Sequence, residues 1–205
     1  MLRIYLARHG QDEDNANGIL NGQRDMPLTS LGEKQVFELA DKIKKSRIKF
    51  DKIYTSPLQR AYKTSRIISG SLGMEDPKKL PKLIERDFGV MTGKPHSQIA
   101  EICSPYILKT KTVTYFLSPD GAETFPQLVK RGRDILDYIK VIHKHGNILF
   151  VTHGDIGKMI YAAYYKLEWR RVLKMFHFGN SDLILLAENS PMAKSHVVKI
   201  KQYNL

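Results

Sequence analysis

Two short apolar runs, each followed directly by a His-Gly pair, constrain the fold of this chain most strongly. Residues 2–7 lead into Arg8 and His9, and residues 147–152 lead into His153. Runs of this length and character are typical of buried parallel strands. Parallel strands end at one edge of a sheet, which is where open α/β sheets bind ligands. We therefore expect the two imidazoles to lie side by side at that edge, and the adjacent arginine makes the expected ligand an anion, most simply a phosphate.

The overall composition predicts one globular domain spanning residues 1–205. The chain has 205 residues, of which 42% are hydrophobic and 26% charged, and these values suit a single domain with a real core. No apolar run reaches the ~20 residues of a membrane span, and the first residues lack a signal-peptide pattern. The single cysteine, Cys103, permits no internal disulfide, so we expect a cytoplasmic protein with no membrane association.

The net charge of +12 at pH 7 favours acidic partners, because a field of that sign gathers anions. The lysines are scattered, and no basic stripe is interleaved with aromatic residues, so we do not expect nucleic acid as a partner. We expect a small phosphorylated substrate instead, bound by a monomer or a homodimer.

Hydrophobic periodicity alternates between strand-like and helix-like, which is typical of βαβ units. We predict helices with capping residues Ser30, Ser56 and Thr124, a helix starting at Ile156, and further strands at 52–55, 80–84, 181–187 and 196–203. The last two strands are predicted to form a hairpin around residues 189–191. Residues 10–29 read as a long loop, and residues 88–123 read as an irregular, lid-like insertion over the site.

Charged motifs follow several predicted strands and join the two His-Gly motifs in a fixed order. In chain order they are the 22–32 stretch, Ser56-Pro57-Leu58-Gln59-Arg60-Ala61, Glu85-Arg86-Asp87-Phe88-Gly89, and Asp120-Gly121-Ala122-Glu123-Thr124. With the motifs at His9 and His153, this ordered set resembles the histidine phosphatase superfamily, also called phosphoglycerate-mutase-like proteins, over residues 2–186. The resemblance implies a three-layer α/β/α sandwich around a mostly parallel central sheet.

The resemblance also assigns roles to the residues around the expected phosphate. His9 would be the nucleophile that forms a phosphohistidine, as a neutral imidazole whose other nitrogen donates its proton to a backbone carbonyl. Arg8, Arg60 and His153 match the residues of the phosphate pocket, where positive groups suit phosphoryl transfer and His153 takes part in catalysis. The two arginines are expected to lower the pKa of His9. The implied chemistry uses no metal and no cofactor.

Glu85 matches the general acid, which protonates the leaving alkoxide and then activates water. Because nearby cations lower the pKa of a carboxyl group, we expect Glu85 to hold its proton mainly in the complex with the phosphate dianion. Asn15 matches a polar position facing the transferred phosphate, and Gln23 a position that contacts substrate. Arg86 and Lys94 are candidate contacts for a distal acidic group of the substrate.

Two carboxylates leave alternatives open. Asp87 would be the acid if the motif were in a different register. Asp12 departs from the family pattern, since many members carry a small or hydroxyl residue there. Its carboxylate could repel phosphate or simply point to solvent.

Several activities fit this pattern. A cofactor-dependent phosphoglycerate mutase usually has a longer insertion with paired arginines, whereas residues 95–123 offer only Lys109 and Lys111. We therefore predict net hydrolysis of a small phosphorylated metabolite by a phosphomonoester hydrolase. The alternatives are a phosphoglycerate mutase, a non-catalytic phospho-ligand binding module, and metal-dependent hydrolysis through His9, His153 and Glu85.

Overall fold

The main sheet has six strands in the computed structural model, which describes residues 1–187 and 196–199. In spatial order they are β3 (Lys78–Lys79), β2 (Lys52–Thr55), β6 (Gly146–Thr152), β1 (Leu2–Arg8), β7 (Leu183–Leu186) and β8 (His196–Val198). The first four pair in parallel, β7 pairs antiparallel with β1, and β8 pairs antiparallel with β7. The predicted mostly parallel sheet is therefore confirmed. The predicted turn at 189–191 and the strand beyond residue 199 lie outside the described residues.

Helices cover both faces of this sheet. They are α1 (Glu13–Ala16), α2 (Ser30–Lys45), α3 (Gln59–Ser71), α4 (Ile99–Cys103), α5 (Phe125–Ile142), α6 (Gly154–Tyr165) and α7 (Trp169–Met175). Alternate residues of β1 face opposite layers: Leu6 packs in the cluster built with α5, α6 and α7, while Ala7 packs in the cluster built with α2 and α3. A strand buried on both faces must be apolar throughout, which explains the continuous apolar runs. The architecture is the predicted α/β/α sandwich.

The register of the central strands brings three chain segments to one edge. Arg8 lies opposite Thr152 in the β1–β6 pair, and Thr55 lies opposite Val151 in the β2–β6 pair. The residues that follow these three strands therefore emerge at the same level of the sheet.

Two glycines fix the loop that follows β1. A Cβ on Gly10 would overlap the carbonyl oxygen of Gly32, and a Cβ on Gly32 would overlap the carbonyl oxygen of Gln11. Side chains of α2 and α3 bind the same loop, since Gln35 accepts a hydrogen bond from the Gln11 amide at 2.9 Å and Thr64 accepts one from the Gly10 amide at 3.2 Å. The close approach of two backbones thus holds the residue just before it, His9, in place.

The helix starts differ from the prediction at two capping residues. Thr29 rather than Ser30 caps α2, because its hydroxyl accepts the hydrogen bond from the Gly32 amide at 2.9 Å. Ser56 does not cap α3, which begins three residues later with no side-chain cap at Leu58. Thr124 caps α5 in a capping box with Gln127, as predicted.

The predicted strand at 80–84 is wrong. The strand is the two-residue β3, and a 3₁₀ turn at Pro81–Leu83 follows it, because a proline cannot donate to a strand ladder. The helix predicted from Ile156 begins two residues earlier, at Gly154.

The insertion at 88–123 is more regular than predicted. It contains α4 and a two-stranded antiparallel sheet of β4 (Ile107–Lys109) and β5 (Thr114–Phe116). A small core of its own joins it to the loop after β1; the core residues are Leu20, Phe88, Met91, Ile99, Cys103 and Phe116. Its lid-like role remains a prediction. No helix in the described part of the chain is long and apolar enough to span a bilayer.

Candidate active site

Both strand-end histidines are buried side by side, as the sequence predicted. The ring centroids of His9 and His153 lie 5.0 Å apart, with the ring planes inclined at 58°. Nδ1 of His9 donates to the carbonyl oxygen of Gly10 at 2.7 Å, because a carbonyl can only accept. The unprotonated nitrogen of a neutral His9 is therefore Nε2. Nε2 of His153 lies 2.7 Å from Oγ of Ser56, the residue that follows β2.

Burial and positive neighbours keep both rings neutral. Removal from water lowers the pKa of His9 well below its usual value, and the charges of Arg60 and Arg8 lower it further. Burial lowers the pKa of His153 in the same way, with Arg60 and the His9 ring adding to the effect. A neutral imidazole at physiological pH is the form that can attack phosphorus.

Arg60 is held rigidly beside the nucleophile although it is fully buried. Its Nη1 donates to the carbonyl of Arg24 at 2.5 Å and its Nη2 to the carbonyl of Gly22 at 2.7 Å. Its Nε lies 3.4 Å from a carboxylate oxygen of Asp12. The loop after β1 thereby orients a guanidinium group that the sequence assigned to phosphate.

Arg8 and His153 each have a buried side-chain nitrogen without a hydrogen-bond partner in the described part of the chain. Nη1 of Arg8 donates to the carbonyl of Phe178 at 2.8 Å. Nε of Arg8 and Nδ1 of His153 are buried and make no hydrogen bond within the described residues. Buried polar atoms are nearly always paired, and a phosphoryl oxygen is a suitable partner for a guanidinium N–H.

Glu85 lies at the amino end of α6, across Gly154 from Arg8. A Cβ on Gly154 would stand 3.7 Å from both the Arg8 guanidinium carbon and Oε2 of Glu85. The Glu85 carboxyl group accepts hydrogen bonds from the amides of Arg86 at 2.8 Å, Ile156 at 3.1 Å and Asp155 at 3.2 Å. These contacts fix the carboxyl group beside the predicted phosphate pocket.

The pKa of Glu85 is raised in the free protein, first by burial and then by the charge of Asp155. This direction is opposite to the one expected for the free protein from the nearby cations alone. The rival acid Asp87 is exposed and accepts a hydrogen bond from the Gly89 amide at 2.9 Å. The carboxyl group of Glu85 is therefore buried, whereas that of Asp87 is exposed.

The polar residues Asn15 and Gln23 belong to the same cluster. Asn180 donates from Nδ2 to Oδ1 of Asn15 at 3.0 Å and to the carbonyl of His9 at 3.1 Å. Gln23 donates from Nε2 to the carbonyl of Glu85 at 3.0 Å. The structure therefore brings both predicted residues next to the nucleophile or the acid.

Of the two predicted distal contacts, Arg86 is buried and Lys94 is exposed. The Arg86 side chain is 1% exposed, its Nε donates to Asp155 at 2.8 Å, and its guanidinium carbon lies 4.3 Å from the ring centroid of Phe116. The contact of Arg86 with a distal acidic group of the substrate stays a prediction, for a side chain that packs among aromatic rings. Lys94 is exposed, and its carbonyl accepts from the Leu20 amide at 2.8 Å.

Sequence reasoning missed the role of Ser56, which it assigned to a helix cap, and left that of Asp12 undecided. Asp12 is fully buried against the site rather than pointing to solvent. Ser56 could have been found from its position directly after a strand that pairs with β6. In the described part of the chain, no group of three or more histidine, cysteine or acidic side chains is arranged to hold a metal ion.

A parallel sheet whose carboxyl edge carries two neutral histidines among buried guanidinium groups defines an enzyme that acts on phosphate esters. Comparison with known proteins makes the class specific: the profile of the histidine phosphatase superfamily (branch 1) matches residues 4–192. The chain belongs to this superfamily, which confirms the resemblance found in the sequence.

Named relatives include both phosphatases and mutases. The chain is 31% identical to the metal-independent phosphoserine phosphatase of Arabidopsis thaliana, over 77% of this chain and 66% of that protein. It is 32% identical to the 2,3-bisphosphoglycerate-dependent phosphoglycerate mutase of Bartonella tribocorum, over 83% and 84%. The crystal structure of phosphoserine phosphatase from Entamoeba histolytica in complex with 3-phosphoglyceric acid matches with a TM-score of 0.73 and 26% identity, over 90% of each chain. These relationships confirm the predicted enzyme class, a phosphatase that hydrolyses phosphomonoesters.

Proposed function

We propose that the protein hydrolyses the phosphomonoester of a small metabolite that carries a second acidic group, through a phosphohistidine at His9. The observation that carries this proposal is the pair of buried nitrogens, Nε of Arg8 and Nδ1 of His153, beside a neutral His9. A phosphoryl group at this position would give both nitrogens a partner and would lie against Nε2 of the nucleophile.

The reaction has two steps with Glu85 acting in both. Nε2 of His9 attacks phosphorus and the ester P–O bond breaks, while the leaving alkoxide takes a proton from Glu85. The carboxylate then accepts a proton from water as the water oxygen attacks phosphorus and the Nε2–P bond breaks. Arg8, Arg60 and His153 bind the phosphoryl oxygens throughout. The raised pKa of Glu85 supports its role as an acid, because the buried carboxyl group then holds its proton more readily than an exposed glutamate does.

Net hydrolysis is favoured over transfer by the composition of the insertion. Its basic residues Lys109 and Lys111 are exposed, and residues 95–123 contain no arginine that could grip a second phosphate in pairs. Phosphoglycerate mutase is the second candidate, because the Bartonella relative of that name is 32% identical to this chain.

A carboxylate-bearing phosphate ester is the substrate class that the surroundings favour. The relatives are named for phosphoserine and phosphoglycerate. The net charge of +12 attracts such anions, and the exposed Lys94 is the candidate contact for the carboxylate. We infer further that the protein acts in the cytoplasm, as a monomer or a homodimer, without metal, nucleic acid or membrane.

A screen of phosphorylated metabolites at matched concentration tests the proposal. Phosphoserine and 3-phosphoglycerate should release inorganic phosphate faster than a neutral sugar phosphate, and a chelator should leave the rate unchanged. 3-Phosphoglycerate should be supplied with and without its bisphosphate. Formation of 2-phosphoglycerate as the main product would favour the mutase, and loss of activity with the chelator would favour metal-dependent hydrolysis.

A further inference from the structure

Asp12 places a buried carboxyl group against both the His9 ring and the Arg60 guanidinium group. Its Oδ2 atom lies 3.6 Å from Nδ1 of His9 and 3.4 Å from Nε of Arg60. Two N–H groups hold the carboxyl group there, since the Asn15 amide donates to Oδ1 at 2.8 Å and Nδ2 of Asn21 donates to Oδ2 at 2.8 Å. The side chain has no exposed surface. The fold therefore fixes the position of this carboxyl group beside the site.

The ionised form of Asp12 is favoured by its contacts and opposed by its burial. Burial has the larger effect and raises the pKa of Asp12 overall, whereas the charge of Arg60 and the hydrogen bond from Asn15 lower it. The charged or titratable groups that act on the His9 ring are Arg60, Arg8 and the neighbouring His153, and those that act on Arg60 besides Asp12 are Glu85, Arg8 and Asp25. Of the carboxyl groups among these residues, Asp12 forms a short contact with the His9 ring, with Oδ2 at 3.6 Å from Nδ1.

The charge of the His9 ring changes during the proposed reaction. Before attack the ring is neutral, with its proton on Nδ1 and donated to Gly10. When the Nε2–P bond forms and the ester P–O bond breaks, Nδ1 keeps its proton, so the ring becomes positively charged. When water attacks phosphorus and the Nε2–P bond breaks, the bonding electron pair returns to Nε2 and the ring is neutral again.

We propose that Asp12 is a positioning residue that stabilises the charged phosphohistidine of His9 at the expense of affinity for the phosphate dianion. The inference rests on the proposed function, because it requires His9 to be phosphorylated. Repulsion between Asp12 and the phosphoryl oxygens is present both before and after attack. Attraction between Asp12 and the ring exists only once the ring is charged. Asp12 therefore favours the reacting state over the bound state, which is the condition for accelerating a chemical step.

Variants that remove the charge but keep the cap of α1 separate this role from a structural one. Asp12 caps that helix, and threonine or asparagine can also serve as an N-cap. Asp12→Thr and Asp12→Asn are therefore the test variants. Asp14→Asn is the matched control, since Asp14 is a buried carboxylate two residues away that pairs with Arg24 at 2.8 Å instead of with the site.

The measurements are the burst rate of phosphoenzyme formation from p-nitrophenyl phosphate and the dissociation constant of inorganic phosphate. We expect both Asp12 variants to lose roughly 10- to 100-fold in burst rate, as for one close charge pair partly screened by its surroundings. Phosphate should bind several-fold more tightly, and the Asp14 variant should change neither value. A purely structural role for Asp12 would weaken the burst rate and phosphate binding together.

Two results would overturn the inference: a wild-type burst rate in Asp12→Thr, or parallel loss of rate and phosphate affinity in both Asp12 variants. Failure of the proposed function is distinguishable in the same experiment. In that case the wild-type protein itself would form no acid-labile phosphoenzyme, whatever residue occupies position 12.

Discussion

The His9 and His153 rings face each other with their centroids 5.0 Å apart, although one follows the first strand and the other follows the sixth. Each ring lies where a positive charge on the other would be unfavourable, and the His9 ring is one cause of the lowered pKa of His153. Protonation of either imidazole is therefore unfavourable in the folded protein. The neutral state of the two rings therefore affects both the nucleophilicity of His9 and the pH dependence of the protein's stability.

Replacing the nucleophile should abolish turnover and labelling together. In His9→Ala we expect turnover to fall by on the order of 10⁴-fold or more, the scale found when an enzyme loses its nucleophile. The wild-type protein incubated with ³²P-labelled substrate should carry a label that is lost in acid and retained in base, as for a phosphoramidate. His145→Ala, at an exposed position, is the control and should label normally. Label retained in His9→Ala would place the nucleophile elsewhere.

Removing the acid should matter most for poor leaving groups. Glu85→Gln keeps the shape of the side chain but has no proton to give, so hydrolysis of an alkyl phosphate should slow by about 10²–10⁴-fold, the usual contribution of a general acid. p-Nitrophenyl phosphate, whose leaving group scarcely needs a proton, should be affected far less. Asp87→Asn is the matched control because that carboxyl group is exposed. Equal slowing of both substrates by Glu85→Gln would indicate that Glu85 only positions other groups.

The lowered pKa of His9 predicts how stability depends on pH. The unfolded chain protonates this residue near pH 6.5, whereas the folded protein keeps it neutral to lower pH. Stability attributable to His9 should therefore fall as the pH drops below about 6.5, by up to about 1.4 kcal/mol for each pH unit. The raised pKa of Glu85 has the opposite effect on the pH dependence of stability. The contribution of His9 is therefore measured by comparing variants rather than from the wild-type protein alone.

Urea unfolding at pH 7.5 and pH 5.5 tests whether the free energy of unfolding falls as the pH drops. His9→Gln should lose about 1.4 kcal/mol less stability than the wild-type protein between the two pH values. His145→Gln removes an exposed imidazole and should leave the difference unchanged. The same pH dependence in all three proteins would contradict the burial argument.

The hydrogen bond between Ser56 and His153 should contribute to catalysis through the orientation of the ring. Loss of the hydroxyl in Ser56→Ala leaves Nε2 of His153 without its 2.7 Å partner. We expect a loss of about 1–2 kcal/mol in transition-state binding, or roughly five- to thirtyfold in kcat/KM. Ser46→Ala is the control, since the Ser46 hydroxyl donates to the carbonyl of Ile43 at the carboxyl end of α2 and not to a histidine. An unchanged kcat/KM in Ser56→Ala would show that packing alone orients His153.

Structural features that depend only on neighbouring residues could be predicted from the sequence. The apolar run of β1 and the capping residue Thr124 of α5 were both predicted, because strand burial and helix capping depend on neighbouring residues. The strand at 80–84 was predicted wrongly because an apolar run next to Pro81 can form a strand or a turn, and only pairing decides between them.

The sequence by itself determined the meeting of His9 with His153, since the carboxyl ends of parallel strands share one edge of a sheet, and its resemblance to the superfamily implied the α/β/α sandwich. Only the tertiary structure decided which charged residues enter the site. It packed Arg86 among aromatic rings, aimed Ser56 at His153 and enclosed Asp12 between His9 and Arg60. The physical reason is that burial and the direction of a side chain arise from contacts between segments distant in the chain, and no local pattern encodes them.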